Sequence, residues 1–402
     1  MRNVFLLFVV LFLCNGCIAK EDYRVLFNSS KKLTEPYGIC THINRIGPEW
    51  EFDSREKDLS LIQSVGATFI RTDFDWGYCQ ADIDKPFSFS HHDQMMRPVD
   101  SLSLQMLGIL SSPKPGNFEE WVNYVAKTTS HYKKRVRYWE VINEADLWHR
   151  RQPDYRASDY VRELKTAYPI IKIENKHAKV LFSGISNVNV GFIEKVFDEN
   201  VSDYFDIMNI HWYANKKNEP ESFFEYFMKL HSIMQEYNIN KPVWLTETGC
   251  TTSEDYADEE TQARRLPRLF LISFACGVEK VFWYKSRSRE LSKESGDYYG
   301  LWHKDYSPKP AFYAYKTLTR MCPSKSTRPQ IQRKGNVYIA RWKQPNGKNV
   351  TALWTSKSIE NVGLSNAPRK IFDYLGNELE VSDSTIVVSP MVQYCFGNFT
   401  VK

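Results

Sequence analysis

Between Lys32 and Cys322 short apolar runs alternate with segments whose apolar residues recur at helical spacing. Eight runs stand out: Tyr37–His42, Thr68–Asp73, Gln105–Leu110, Arg137–Asn143, Lys179–Gly184, Asp206–Trp212, Val243–Thr248 and Glu279–Tyr284. Each is short, rich in Ile, Val, Phe or Leu, and reads as a strand buried on both faces. The segments between them carry helix signals. Asn117 with Glu120 forms a capping-box-like start before Trp121, Tyr124 and Val125. Phe224, Phe227, Met228 and His231 fall on one side of a helix expected from Glu221 to Tyr237. Pro267 should kink the helix expected between Asp258 and Ala275. Eight strand-then-helix units predict an α/β fold, a (β/α)8 TIM barrel over residues 32–322. A doubly wound sheet is the alternative, but no Gly-rich phosphate loop follows the first strand.

After Cys322 the pattern changes. Strand-like runs at Asn336–Trp342, Val350–Trp354, Lys370–Phe372 and Thr385–Val388 are separated by turn residues. They predict a small β-sandwich-like accessory domain over 323–402, to which 20–31 can add a strand. At the other end, Arg2 precedes an unbroken apolar run of 11 residues, Val4 to Cys14. That is too short to span a bilayer and suits a signal peptide over residues 1–19. Cleavage after Ala19 competes with a lipobox reading of Asn15-Gly16-Cys17, in which lipidated Cys17 would attach the protein to a membrane. The expected product is secreted, or is a periplasmic or outer-membrane lipoprotein at the cell surface.

Composition narrows the classes further. With 42% apolar and 25% charged residues, the 402-residue chain is neither disordered nor a coiled coil. A net charge of +5 is too mild to argue for nucleic acid. No CxxC spacing occurs, so no zinc site is expected; Cys40 and Cys79 are either a disulfide or buried free thiols. His91-His92-Asp93 lacks a further ligand at helical spacing, so it reads as structural, with Asp93 capping the helix that follows. No metal or cofactor is expected, and the protein reads as a monomer. Aromatic residues reach 14%, enough to fill a core and to line a cleft with flat rings.

In a (β/α)8 barrel the polar residues at strand C-terminal ends face the active site. The fourth run ends Tyr138-Trp139-Glu140-Val141-Ile142-Asn143-Glu144, and the seventh ends Trp244-Leu245-Thr246-Glu247-Thr248-Gly249. Glu144 and Glu247 therefore emerge on opposing sides of the barrel mouth. Two such carboxylates suit double displacement at a sugar: one protonates the leaving oxygen, the other attacks the anomeric carbon. Retention requires them roughly 5–5.5 Å apart, inversion about 6.5–9.5 Å.

These motifs resemble clan A glycoside hydrolases, retaining enzymes on a (β/α)8 barrel, over roughly residues 35–320. Trp139–Glu144 is similar to the clan's fourth-strand signature, whose Asn-Glu carries the acid/base, and Leu245–Gly249 to its nucleophile motif. Phe205–Tyr213 resembles the sixth strand and Ile70–Asp73 the second. Within the clan the texture is most like family 39, then family 5; Thr248-Gly249 departs from the family 39 pattern and is similar to members that cut β-glucans. The resemblance implies Glu144 as acid/base and Glu247 as nucleophile, and puts Arg71, His211 and Tyr213 among the substrate-binding residues: Arg71 would orient Glu247, Tyr213 would donate to Glu247 or meet the sugar ring oxygen, and His211 would bond a sugar hydroxyl or position Glu144. Asn143 would bond the sugar 2-hydroxyl, and Trp283 would floor the sugar site. Trp76, Tyr78, Trp148 and Trp302 are further sugar platforms or surface packing, and Asp73 and Asp75 could meet sugar hydroxyls. Lys285, Arg287 and Arg289 read as a solvated loop, with recognition of a uronic acid as the alternative. The expected function is cleavage of β-linked glycosidic bonds in an extracellular polysaccharide or oligosaccharide. The competing reading is a catalytically inactive carbohydrate-binding protein on a hydrolase barrel.

Overall fold

A computed structural model of the chain describes residues 31–45, 47, 52–215, 217–291, 295–381 and 383–402. The expected signal peptide, Cys17 and the strand expected from 20–31 fall outside these, apart from Lys31; Lys32 forms an antiparallel bridge with Thr327. All eight apolar runs are strands: β1 (Tyr37–Cys40), β2 (Phe69–Phe74), β3 (Gln105–Leu110), β4 (Tyr138–Val141), β5 (Lys179–Leu181), β6 (Met208–His211), β7 (Val243–Thr248) and β8 (Lys280–Tyr284). They pair in parallel in the order β5-β4-β3-β2-β1-β8-β7-β6. Bridges Leu181–Ile207 and Ile185–Ile210 join β5 to β6 and close the barrel.

Strand alternation divides the side chains. Phe69, Leu107, Leu181, Trp244 and Phe282 point inward and fill the barrel, which is a packed core and not a pore. Ile39, Ile70, Val180, Val281 and Trp283 point outward, into the larger core beneath the helices. Two helices bear on local expectations, and the second departs from its own. The helix Glu259–Ala275 runs through Pro267, anchored at its start by Asp258, whose Oδ1 accepts from the Thr261 N–H at 2.7 Å. Asn117 sits at the start of the helix Phe118–His131, but its side chain makes no capping bond. Among the described residues, no helix is long and apolar enough to cross a membrane.

The C-terminal strands are β9 (Gln330–Lys334), β10 (Val337–Lys343), β11 (Asn349–Thr355), β12 (Glu360–Gly363), β13 (Lys370–Phe372), β14 (Glu378–Leu379), β15 (Thr385–Val388) and β16 (Gln393–Phe396). Six form one antiparallel sheet, β14-β13-β16-β11-β10-β9, and β12 pairs with β15. The two faces of the larger sheet have different partners. Val337, Ile339, Leu353 and Ile371 pack with Val362, Ile386 and Val388 of the two-stranded sheet. Tyr338, Ala340, Trp342 and Trp354 join the barrel's own core. Trp342 Nε1 and Gln344 Nε2 donate to the Met321 carbonyl at 2.9 and 2.8 Å, at the C-terminus of the last barrel helix, Pro310–Met321. Deeper in the contact, Trp354 Nε1 donates to Glu221 Oε1 at 2.8 Å. Glu221 is also gripped by Arg268 at 2.8 and 2.5 Å, and Arg268 reaches Glu219 at 3.0 Å. The six described cysteines from Cys40 to Cys395 are buried free thiols, so Cys40 and Cys79 are not bridged.

Candidate active site

The chain at the top of β4 is bent to deliver its functional groups. Ile142 (φ 65°) and Glu144 (φ 47°) both take left-handed backbone, which for a β-branched residue such as Ile142 is strained. The strand thus ends at Val141, and Asn143 and Glu144 turn into the mouth. From β2, Arg71, only 3% exposed, ties the site together. Its Nη1 donates to Glu247 Oε1 at 2.5 Å and its Nη2 to Asn143 Oδ1 at 2.6 Å. Its Nε and Nη2 hold Glu140 at 2.8 and 3.0 Å.

Glu247 also accepts from the Tyr213 hydroxyl at 2.5 Å. Burial alone would push this carboxylate up; the charges of His211 and Arg71 and the Tyr213 bond outweigh it and hold Glu247 below the ordinary carboxylate range. His211, fully buried, lies with Nδ1 3.0 Å from Glu144 Oε1 and Nε2 3.1 Å from Thr246 Oγ1. Burial pulls its pKa down, but the Glu247 charge and the Glu144 bond prevail and leave it raised. The ring fits only because residue 184 is glycine. A Cβ there would sit 2.0 Å from His211 Nε2. Carboxylate oxygens of Glu144 and Glu247 and a nitrogen of His211 all lie within 4.8 Å of one another.

Above this cluster opens a cleft of about 740 Å³. Arg71, Asp73, Asn143, Glu144, Trp148 and Glu247 line it, as do Tyr78 and Asp75. His211 and Tyr213 support the carboxylates from behind. Burial, then the Asp75 charge, pushes Asp73 up to about 7. Three predicted platforms are elsewhere. Trp283 is fully buried on the helix-facing side of β8, its Nε1 donating to the Tyr299 carbonyl at 3.3 Å. Its neighbour Tyr284, of opposite parity, faces the cleft instead. Trp302 is buried and donates to Asp58 Oδ1 at 3.0 Å; Asp58 also accepts from Ser286, joining the helix Phe52–Ser64 to the loop after β8. Trp76 stacks on Tyr124 at 5.6 Å and is buried.

The loop after β8 is not solvated either. Lys285 is buried with Nζ on the Gly296 carbonyl at 2.8 Å, Arg287 is buried over the Tyr306 ring, and Arg289 is paired with Asp297. His92 stacks on Phe74, and Asp93, inside the helix Ser90–Ser101, bonds His131 and Tyr132 rather than capping. Sequence reasoning missed Glu140 and Tyr284. A carboxylate inside a strand buried on both faces needs a cationic partner, which was the available signal for Glu140; strand parity from Phe282 was the one for Tyr284.

The barrel and its carboxylate pair define a class, and comparison with known proteins agrees. Residues 72–315 match the family described as the glycosyl hydrolase catalytic core, and the chain belongs to that family of glycosidases. Among solved structures, a family 39 glycoside hydrolase from Bacteroides cellulosilyticus WH2 superposes with a TM-score of 0.74 at 21% identity, covering 92% of this chain and 81% of that one. A monomeric β-xylosidase from Caulobacter crescentus CB15 gives a TM-score of 0.67 at 12% identity, covering 93% and 97%. A family 39 enzyme from Xanthomonas axonopodis pv. citri gives 0.64 at 12%, covering 92% and 95%. These likenesses are of fold. No curated protein sequence matches the chain.

Proposed function

We propose that the protein is a retaining glycoside hydrolase in which Glu247 is the nucleophile and Glu144 the acid/base. The observation that carries this reading is that one carboxylate oxygen of Glu144 and one of Glu247 lie within 4.8 Å of each other, a close approach that favours direct attack by Glu247. Glu247, held ionised by Arg71 and Tyr213, attacks the anomeric carbon as the glycosidic C–O bond breaks. The leaving oxygen takes the proton shared between Glu144 and His211. A glycosyl ester on Glu247 results. Water then attacks the same carbon, Glu144 takes its proton, and Glu247 departs as carboxylate. Asn143, fixed by Arg71, bonds the sugar 2-hydroxyl as positive charge develops.

Motif and fold together favour family 39. A β-xylosidase among the neighbours makes aryl β-xylosides the first substrates to test. The apolar run behind Arg2 supports export, hence a glycan outside the cytoplasm. The test is Glu247→Ala on a panel of aryl glycosides. Turnover should fall by orders of magnitude, and azide should restore it, giving a glycosyl azide of inverted configuration. Undiminished turnover without azide overturns the assignment. Binding of glycans with no hydrolysis by the unaltered protein would favour the inactive-lectin reading instead.

A further inference from the structure

The walls of the cleft carry more positive charge than the chemistry of a glycosyl ester requires. Arg71 is consumed by Glu140 and Glu247. Arg45, from the loop after β1, and Arg150 and Arg151, from the loop after β4, also line the cleft. Among the described residues none of these three guanidiniums pairs with a carboxylate; Arg151 lies over the Trp148 ring, 5.4 Å from its centre. Arg150 and Arg151 are exposed. A guanidinium with no ion pair among the described residues presents a planar donor fork that suits a planar carboxylate or a sulfate. Trp148 adds an apolar face on which a pyranose ring can lie, with its own Nε1 tied to the Asn143 carbonyl at 2.9 Å.

Opposing charge does exist in the cleft, in Asp73 and Asp75. Asp75 is engaged by Asn44 at 2.6 Å. Burial and the adjacent Asp75 leave Asp73 half protonated near neutrality, with its pKa at about 7. The Arg45 charge bears on both of these carboxylates, so the excess positive charge on the walls is that of Arg150 and Arg151.

We propose that the glycan taken by this cleft is acidic, with carboxylate or sulfate groups held by Arg45, Arg150 and Arg151 beside the Trp148 face. The proposal names the substrate class of the glycosidase site and rests on that reading of the cleft. Its test is separable, because binding can be measured without turnover. Glu247→Gln protein is titrated with polygalacturonate and its methyl ester, with a sulfated galactan and its desulfated form, and with neutral arabinoxylan. One of the two acidic polymers should bind at least about 10-fold tighter than its neutralised form and than arabinoxylan, and which one identifies the acid group. Arg150→Met with Arg151→Met, and separately Arg45→Met, should each remove about 10-fold of that preference. Lys334→Met with Lys348→Met, on the C-terminal sheet, should remove none, which distinguishes the cleft from general attraction to a basic protein. Equal binding of acidic and neutralised polymers, or full preference in the Arg45, Arg150 and Arg151 variants, overturns the proposal. A protein that prefers acidic polymers yet keeps full turnover in Glu247→Ala would leave this inference standing and remove the catalytic assignment.

Discussion

Gly184→Ala puts the geometry of the acid/base under direct strain. The glycine backbone lies outside the left-handed region, so alanine is opposed by space alone. The new Cβ would meet His211 at 2.0 Å from Nε2, 2.5 Å from Cε1 and 2.7 Å from Cδ2. Ordinary contact needs about 3.5 Å, so the ring must retreat by roughly 1 Å or more. His211 is fully buried, with Thr246 on its Nε2, and cannot retreat without breaking that bond or the 3.0 Å contact to Glu144. Overpacking of this kind costs about 1–3 kcal/mol of stability, and misplacing a positioning group by about 1 Å costs on the order of 100-fold in rate. The expected result is a kcat/KM lower by about that factor, carried mostly by kcat, with native circular dichroism. Gly191→Ala is the control. No atom lies within 4 Å of a Cβ at Gly191, in the helix Val190–Phe197, so it should gain about 0.4–1 kcal/mol and keep its activity. Unchanged turnover in Gly184→Ala would refute the positioning role of His211.

Other outcomes follow from the same site. Tyr213→Phe removes a donor to an ionised group, worth about 1.5–3 kcal/mol. Because that donor helps hold Glu247 below the ordinary range, its loss should raise the acid limb of the kcat/KM profile by about 1–2 pH units; a limb that stays in place contradicts the assignment. Asp73 titrates at about 7 when folded and near 4 when unfolded, so ionising it costs stability as pH rises through that window. Asp73→Asn should therefore raise Tm at pH 8 and leave it unchanged at pH 4, measured by thermal melts. Tyr284→Ala should raise KM about 10-fold, whereas Trp283→Phe should lower Tm and leave KM alone; the reverse pattern would return Trp283 to the cleft.

How much of this was legible depended on how many constraints each residue obeyed. A strand buried on both faces is mostly apolar, so β1 to β8 were visible within three residues at either end. Glu144 and Glu247 were visible because they end such strands with charge. The face of a single aromatic was not: Val281-Phe282-Trp283-Tyr284 is apolar at every position, so nothing in the pattern fixes its parity, and Trp283 was chosen where Tyr284 faces the cleft. Loop aromatics failed for a related reason. Trp76 and Trp302 lie past strand ends, as a platform should, yet each meets a partner from a distant segment that spacing cannot reveal. In the C-terminal region β9, β12, β14 and β16 escaped because short strands such as Gln330–Lys334 are half polar.

The sheet that follows the barrel is also the end of the barrel's last helix in a hydrogen-bonding sense. The Met321 carbonyl, which no further turn can satisfy, is satisfied by Trp342 and Gln344. Trp354 completes the shell of Glu221, whose charge is otherwise set against Arg268 in the protein interior. Cutting the gene after Cys322 would therefore not free a catalytic module from an ornament. It would leave a frayed helix and a half-solvated ion pair on a wall of exposed rings. Barrel and sheet are, in this chain, one matched pair.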